Sequence, residues 1–140
     1  MGVALDSHPH PLDSLRIEIP AIADRLIEVR SRLLAWLALI GVADVTAADI
    51  VLVINEACSN SIEHAYRGAD TGLIRVEVAR EGEHIVASVS DFGSWQTPRS
   101  EPTTRGRGLA IMRAITDEVE LVTSAVGTTI RTSFDVPDAG

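Results

Sequence analysis

The stretch INEACSNSIEHAY, residues 54–66, carries the most informative pattern of the chain. It reads as part of a buried helix, yet Glu56, Asn60 and His64 recur at intervals of four residues, which places them on one side of that helix. Asparagine is a weak helix former, so an asparagine within a helix needs a reason. Its oxygen can ligate Mg²⁺, and a glutamate one turn earlier can take a proton from a nucleophile attacking a phosphate. Taken alone, a solvated polar face explains the pattern better, so other motifs must decide.

Composition limits the classes of protein to consider. The chain has 140 residues, 46% of them hydrophobic and 23% charged, which is typical of one globular domain. We expect a leader at 1–14, a single domain at 15–137 and a tail at 138–140. A net charge of -8 without a basic cluster argues against nucleic acid or an anionic membrane as partner. A single cysteine excludes an intrachain disulfide, and the absence of a long apolar run favours a cytoplasmic protein.

Periodicity predicts a layered α/β fold. The first predicted helix follows Pro20 and ends at Gly41. The second begins at Thr46 and runs to about Tyr66, and Thr46 is expected to cap it together with Asp49 three residues later. The predicted strands are 15–19, 73–80, 84–91, 118–124 and 128–136, the last four as two hairpins, with a loop at 92–108 and a short helix at 109–117. We therefore expect a two-layer α+β sandwich, with a mixed, mostly antiparallel sheet and helices on one face.

A carboxylate ends one of these strands. Asp91 closes the run SVSDFG, and Gly93 follows two residues later. An aspartate at a strand end suits the exocyclic amine of adenine, and a glycine beside it lets a base approach the backbone. Later, Thr128 in GTT can offer a hydroxyl to the same base or to its water. Singly, turns explain both features more simply.

A glycine-rich segment supplies the phosphate chemistry. TTRGRGLAIM places Gly106 and Gly108 before a predicted helix whose first amides are free to bind phosphate oxygens. Arg105 and Arg107 add positive charge there. An ordinary loop and a phosphate-binding loop explain this segment about equally well.

Four motifs together strongly resemble, in order and spacing, the ATP-binding domain of DNA gyrase, the heat-shock chaperone, histidine kinases and a mismatch-repair protein. They are E-x-x-x-N-x-x-x-H-A-Y, D-x-G, R-G-R-G-L-x-x-M and G-T-T. Within that superfamily the chain is most similar to the small anti-sigma-factor serine kinases of bacteria. The resemblance runs from LRIEIPA to TSFDV, nearly the whole chain, and implies the Bergerat-type ATP-binding fold. Histidine kinases typically lack the glutamate four residues before the asparagine, and gyrase and chaperone domains are longer.

The resemblance implies a role for each matching residue. Glu56 corresponds to the general base that deprotonates a substrate serine, and Asn60 to the Mg²⁺ ligand. Asp91 corresponds to the adenine-reading aspartate. The other nucleotide-binding positions are Gly93, Arg105, Gly106, Arg107, Gly108, Leu109 and Thr128. His64 is expected to be structural, and Cys58 to be a small buried apolar residue. The sequence departs from the pattern at Ser94 and Trp95, where many relatives have a glycine-rich turn.

The implied function is that of a protein-serine kinase that uses ATP, returns ADP and requires Mg²⁺. As an anti-sigma factor it would sequester an alternative sigma factor and phosphorylate an anti-anti-sigma antagonist on serine. Three alternatives stay open: a nucleotide-binding anti-sigma switch with little kinase activity, a kinase domain from a multidomain sensor and phosphatase regulator, and a scaffold that binds no nucleotide. A homodimer through the first strand and helix is also left open.

Overall fold

A computed structural model describes residues 13–64, 72–92, 118–124 and 127–136. Its elements in chain order are β1 (Ser14–Pro20), a 3₁₀ turn (Ala23–Arg25), α1 (Leu26–Leu39), α2 (Asp44–His64), β2 (Leu73–Glu81), β3 (His84–Asp91), β4 (Glu118–Ser124) and β5 (Gly127–Asp135). The predicted helix at 109–117, most of the predicted loop at 92–108, most of the leader and the tail lie outside the described residues.

The five strands form one sheet in the order β1-β2-β3-β5-β4, so β3 is its central strand. All four pairings among the described strands are antiparallel. β2 and β3 are joined at Gly82 and Glu83, and Gly82 has φ 66° at the position where a type II′ turn favours glycine. Both predicted hairpins are therefore confirmed.

Alternation of buried and exposed residues gives the sheet two different faces. On β2 and β3 the buried side chains are Ile74, Val76, Val78, Ile85, Ala87, Val89 and Asp91. With the apolar sides of α1 and α2 they form one core. The opposite face carries charged and hydroxyl side chains and has no helix on it among the described residues. The predicted two-layer sandwich with helices on one face is thus confirmed.

The two helices pack against each other as well as on the sheet. α1 buries Leu26, Val29, Leu33, Trp36 and Leu37, and α2 buries Ile50, Val51, Val53, Ile54, Ala57 and Cys58. Arg30 donates a hydrogen bond from Nη1 to Asn55 Oδ1 at 3.1 Å, which ties the two helices together at the surface. Neither helix is both long and apolar enough to cross a membrane.

The predicted start of α2 is wrong. The helix begins at Asp44, because the Ala47 amide already donates to the Ala43 carbonyl at 2.8 Å. Thr46 therefore lies inside the first turn and does not cap the helix. Asp44 places a negative charge near the positive end of the helix dipole, which supports this earlier start. Alanine in front of it gives no sequence signal for a cap.

Candidate functional site

α2 brings Glu56 and Asn60 to the same side of the molecule, as their spacing predicted. Asn60 is 5% exposed and Glu56 is half-buried. Their neighbours Ile54 and Ala57 pack in the core and fix the rotation of the helix. The glutamate thus keeps access to solvent, whereas the asparagine is almost completely buried. A half-buried glutamate can act as a base on a second molecule, and a buried amide can bind a ligand inside the site.

The carboxylate of Asp91 is buried at the end of the central strand. It continues the inward alternation of Ala87 and Val89, so its side chain lies on the helix-covered face, 2% exposed. A buried carboxylate is costly unless hydrogen bonds satisfy it. Ser61 of α2, itself 1% exposed, donates a hydrogen bond from Oγ to Asp91 Oδ2 at 3.0 Å.

Asp91 belongs to a row of paired residues that crosses the sheet. Ile19 pairs with Ile74, Ile74 with Asp91, and Asp91 with Thr128. The row is apolar on β1 and β2 and polar on β3 and β5, where Thr128 is also buried. The polar half therefore lies where α2 contributes Ser61, one residue after Asn60.

Gly127 allows the start of β5 to lie against the end of β3. Its φ is 156°, and a Cβ at this position would overlap the backbone oxygen of Asp91 and come within 3.0 Å of Phe92 Cα. A side chain at residue 127 would push Thr128 away from Asp91. The first glycine of GTT is thus part of the site's framework.

Phe92 is held on the opposite face of the sheet. Its ring lies 5.1 Å from Arg75 Cζ, a cation–π distance, and Arg75 Nε donates to Glu18 Oε2 at 2.8 Å. Hydrogen bonds from Arg75 and then from Arg16 lower the pKa of Glu18. These contacts anchor the residue that follows Asp91.

The structure thus pairs two predicted positions, Asp91 and Thr128, and Ser61 links Asp91 to the helix that carries Asn60 and, one turn earlier, Glu56. The remaining predicted positions lie outside the described residues: Gly93, Arg105, Gly106, Arg107, Gly108 and Leu109. The side chain of His64 does as well. Sequence reasoning missed Ser61 and the packing role of Gly127. The sequence feature that could have identified Ser61 is a second polar residue directly after Asn60, in a helix whose neighbouring residues pack in the core.

In the described part of the site, Cys58 has no reactive role, and no cluster of metal ligands is preformed. Cys58 is fully buried, and burial raises the pKa of its thiol to about 12, so it is the inert apolar residue that the sequence predicted. Within the described ranges, no three His, Cys, Asp or Glu side chains group to hold a metal. Nucleotide-bound Mg²⁺ needs few protein ligands, because phosphates and water complete its shell, so the Asn60 carboxamide is compatible with that ion.

The chain matches known proteins in sequence and in fold. The sequence model of the histidine kinase-like ATPase domain matches residues 19–134. The crystal structure of the RsbU and RsbW domains of Rv1364c from Mycobacterium tuberculosis superimposes with a TM-score of 0.73 and 32% identity, over 91% of this chain and 33% of that one. The histidine kinase domain of the blue-light activated kinase from Erythrobacter litoralis EL346 shares the fold, with a TM-score of 0.55 and 17% identity over 84% of this chain and 62% of that one.

The fold and the sequence match define an ATPase-type domain, and this chain belongs to the histidine kinase-like ATPase domain family. Its relatives include a protein named an anti-sigma factor and one named a serine-protein kinase, in agreement with the family that the sequence predicted. It is 25% identical to the anti-sigma F factor of Bacillus cytotoxicus, over 84% of this chain and 89% of that protein. It is 24% identical to the serine-protein kinase RsbW of Bacillus pumilus, over 88% of this chain and 86% of that protein.

Proposed function

We propose that the protein is an ATP- and Mg²⁺-dependent protein-serine kinase that acts as an anti-sigma factor in the cytoplasm. In this role it sequesters an alternative sigma factor and phosphorylates the anti-anti-sigma antagonist on a serine. The observation that carries the proposal is the buried carboxylate of Asp91, which ends the central strand beside Thr128 and is bonded to the helix that carries Glu56 and Asn60.

Adenine recognition is assigned to the polar half of the row across the sheet. An ionised carboxylate accepts hydrogen bonds and donates none, so Asp91 suits the exocyclic amine of adenine. Thr128, opposite it, offers a hydroxyl that serves the base or a water molecule. Gly93, two residues beyond Asp91, is expected to let the ring approach the backbone.

The phosphates are assigned to the space beside α2. Asn60 would hold Mg²⁺ through its amide oxygen, and that ion would neutralise charge on the phosphate oxygens during transfer. Amides of Gly106, Arg107, Gly108 and Leu109 are expected to bind phosphate oxygens, with Arg105 supplying charge to the γ-phosphate. Burial of Asn60 supports this assignment, because a buried amide has a fixed direction.

Glu56 is assigned the role of general base. Its half-buried position leaves its carboxylate within reach of a second protein. It takes the proton from the substrate serine while that serine's oxygen attacks the γ-phosphorus. The bond from the γ-phosphorus to its bridging oxygen then breaks, and ADP leaves.

The names of the relatives support the choice of partners. One relative is named an anti-sigma factor and the other a serine-protein kinase, and each aligns over most of this chain. The net charge of -8 favours a partner with a basic surface. A second candidate is the same kinase acting within a larger regulatory chain, because the Mycobacterium structure contains both an RsbU and an RsbW domain.

Transfer of label from γ-labelled ATP tests the proposal. The protein is incubated with Mg²⁺, labelled ATP and candidate antagonists from the same genome, each beside a version whose acceptor serine is replaced by alanine. We expect label on the serine of one antagonist and none on its alanine version. Stable binding of ATP without transfer to any antagonist would instead support a nucleotide-binding anti-sigma switch.

A further inference from the structure

We propose that Ser61 is a positioning residue that makes the base pocket selective for a 6-amino purine. The inference rests on the proposed nucleotide function and adds a residue that acts on the nucleotide through Asp91. Its basis is the hydrogen bond from Ser61 Oγ to Asp91 Oδ2, between a helix and a strand thirty residues apart in sequence.

The hydrogen of the Ser61 hydroxyl is committed to Asp91. A serine hydroxyl has one hydrogen to donate, and an ionised carboxylate only accepts. Both residues are at least 98% buried, so bulk water does not replace this bond when it breaks. Loss of a donor to a buried carboxylate costs free energy, which makes the bond difficult to exchange.

This bond fixes the direction of the carboxylate. A carboxylate that is held at Oδ2 cannot rotate about its Cβ–Cγ bond without breaking the hydrogen bond to Ser61. Ser61 is itself held by α2, whose core residues Ile54 and Ala57 are fully packed. The carboxylate therefore presents its accepting lone pairs in one orientation.

A fixed acceptor distinguishes purines by where they carry a donor. Adenine has an amine at position 6, whereas hypoxanthine and guanine have a carbonyl oxygen there. A carboxylate aimed at position 6 accepts from the amine and is repelled by the carbonyl oxygen. A carboxylate free to rotate can instead turn to the ring N–H next to that carbonyl. Ser61 thus determines the selectivity for 6-amino purines by fixing the orientation of the Asp91 carboxylate.

Ser61 also joins the two halves of the proposed site. It follows Asn60 directly in α2, while its hydroxyl reaches the strand that carries Asp91. The base and the phosphates of a nucleotide are joined through the ribose, which limits how far apart they can lie. A direct bond between the helix and the strand keeps the two protein groups at a matching separation.

The test is calorimetric titration of the full chain with Mg²⁺-ATP and with Mg²⁺-inosine triphosphate. We expect the wild type to prefer ATP. Ser61→Ala should weaken ATP binding by about tenfold at most, because the carboxylate loses the internal hydrogen bond that orients it toward adenine, while inosine triphosphate binds as before or more tightly. Ser59→Ala, the same change at a half-exposed position of α2, should alter neither affinity.

Each other outcome overturns the inference. An equal loss of both affinities in Ser61→Ala would mean that Ser61 only supports the fold, and an unchanged preference would mean that it does not orient Asp91. A wild type that binds both nucleotides equally would refute the selectivity while leaving nucleotide binding intact. Binding of neither would refute the proposed function as well. If Ser61→Ala does not fold, Ser61→Cys, whose thiol is a weak donor of similar size, should show the same loss of preference.

Discussion

Asp91 and Thr128 are directly paired across β3 and β5, and both side chains are buried under the helices. Burying two polar residues inside an apolar layer lowers the free energy of unfolding unless hydrogen bonds satisfy their polar groups. Ser61 already satisfies one oxygen of the carboxylate, and in the proposed function both residues also face the adenine base. This pair is therefore the first place to test nucleotide binding.

Mg²⁺-ATP or Mg²⁺-ADP should raise the melting temperature of the wild type. At a ligand concentration one hundred times the dissociation constant, binding to the native state alone adds about 2.7 kcal/mol. Asp91→Asn should lose this stabilisation, because its amide presents a donor where the adenine amine needs an acceptor. Asp135→Asn, a control on an exposed side chain at the far end of β5, should keep it. An Asp91→Asn protein stabilised as strongly as the wild type would show that Asp91 only ends the strand.

Glu56→Gln should separate transfer from binding. The amide keeps the shape of the side chain but does not take a proton, so ATP and sigma-factor affinity should stay unchanged. Loss of a general base typically lowers the rate about 10²- to 10⁴-fold, measured here as label transferred to the antagonist. Glu63→Gln, on the exposed side of the same helix, is the matched control. Transfer at the wild-type rate by Glu56→Gln would refute the base assignment.

Asn60→Ala should remove the part of the nucleotide affinity that depends on Mg²⁺. The reason is that the metal loses its protein ligand and the phosphates lose its charge. Titrations with ATP in Mg²⁺ and in a chelator would show a large difference between the two conditions for the wild type and a small one for the variant. The metal assignment fails if the variant gains as much from Mg²⁺ as the wild type does.

Gly127→Ala should damage both stability and the base pocket. Its Cβ would overlap the backbone of Asp91, and overpacking of this kind costs about 1–3 kcal/mol. Gly82→Ala is the control, because Gly82 also has positive φ but has open space around it. Chemical denaturation should show a loss of stability in both variants, whereas only Gly127→Ala should also bind ATP more weakly. Equal ATP affinities in the two variants would contradict the framework role of Gly127.

Glu18 makes stability depend on pH in a defined direction. Its pKa is lowered in the folded protein, so the ion pair with Arg75 stabilises the fold above the ordinary value of 4.5 and is lost as pH falls through the lower folded value. Glu18→Gln should therefore melt below the wild type at pH 7 and match it at a pH below the folded value. Because the pair is exposed, high salt should also reduce the difference at pH 7. A difference that persists in acid would assign the effect to packing.

Local patterns predicted the sheet well and the contacts across it less well. The alternation of HIVASVSD gives the bounds of β3 as observed, because one buried face imposes a period of two. The same rule places Asp91 inside. The start of α2 was missed because Ala43 offers no side-chain signal for a cap. The bond from Ser61 to Asp91 joins residues far apart in sequence, and only the packing of α2 on β3 brings them together.

The central place of β3 in the sheet has a consequence for native-state hydrogen exchange. Its ladders to β2 and β5 protect it on both sides, whereas an edge strand can fray alone. The amides around Ser88 and Val89 should therefore exchange only through global unfolding. A ligand bound at Asp91 then slows exchange throughout the cooperative core, so occupancy of the pocket can be measured from amides far away on β2, without a probe in the site.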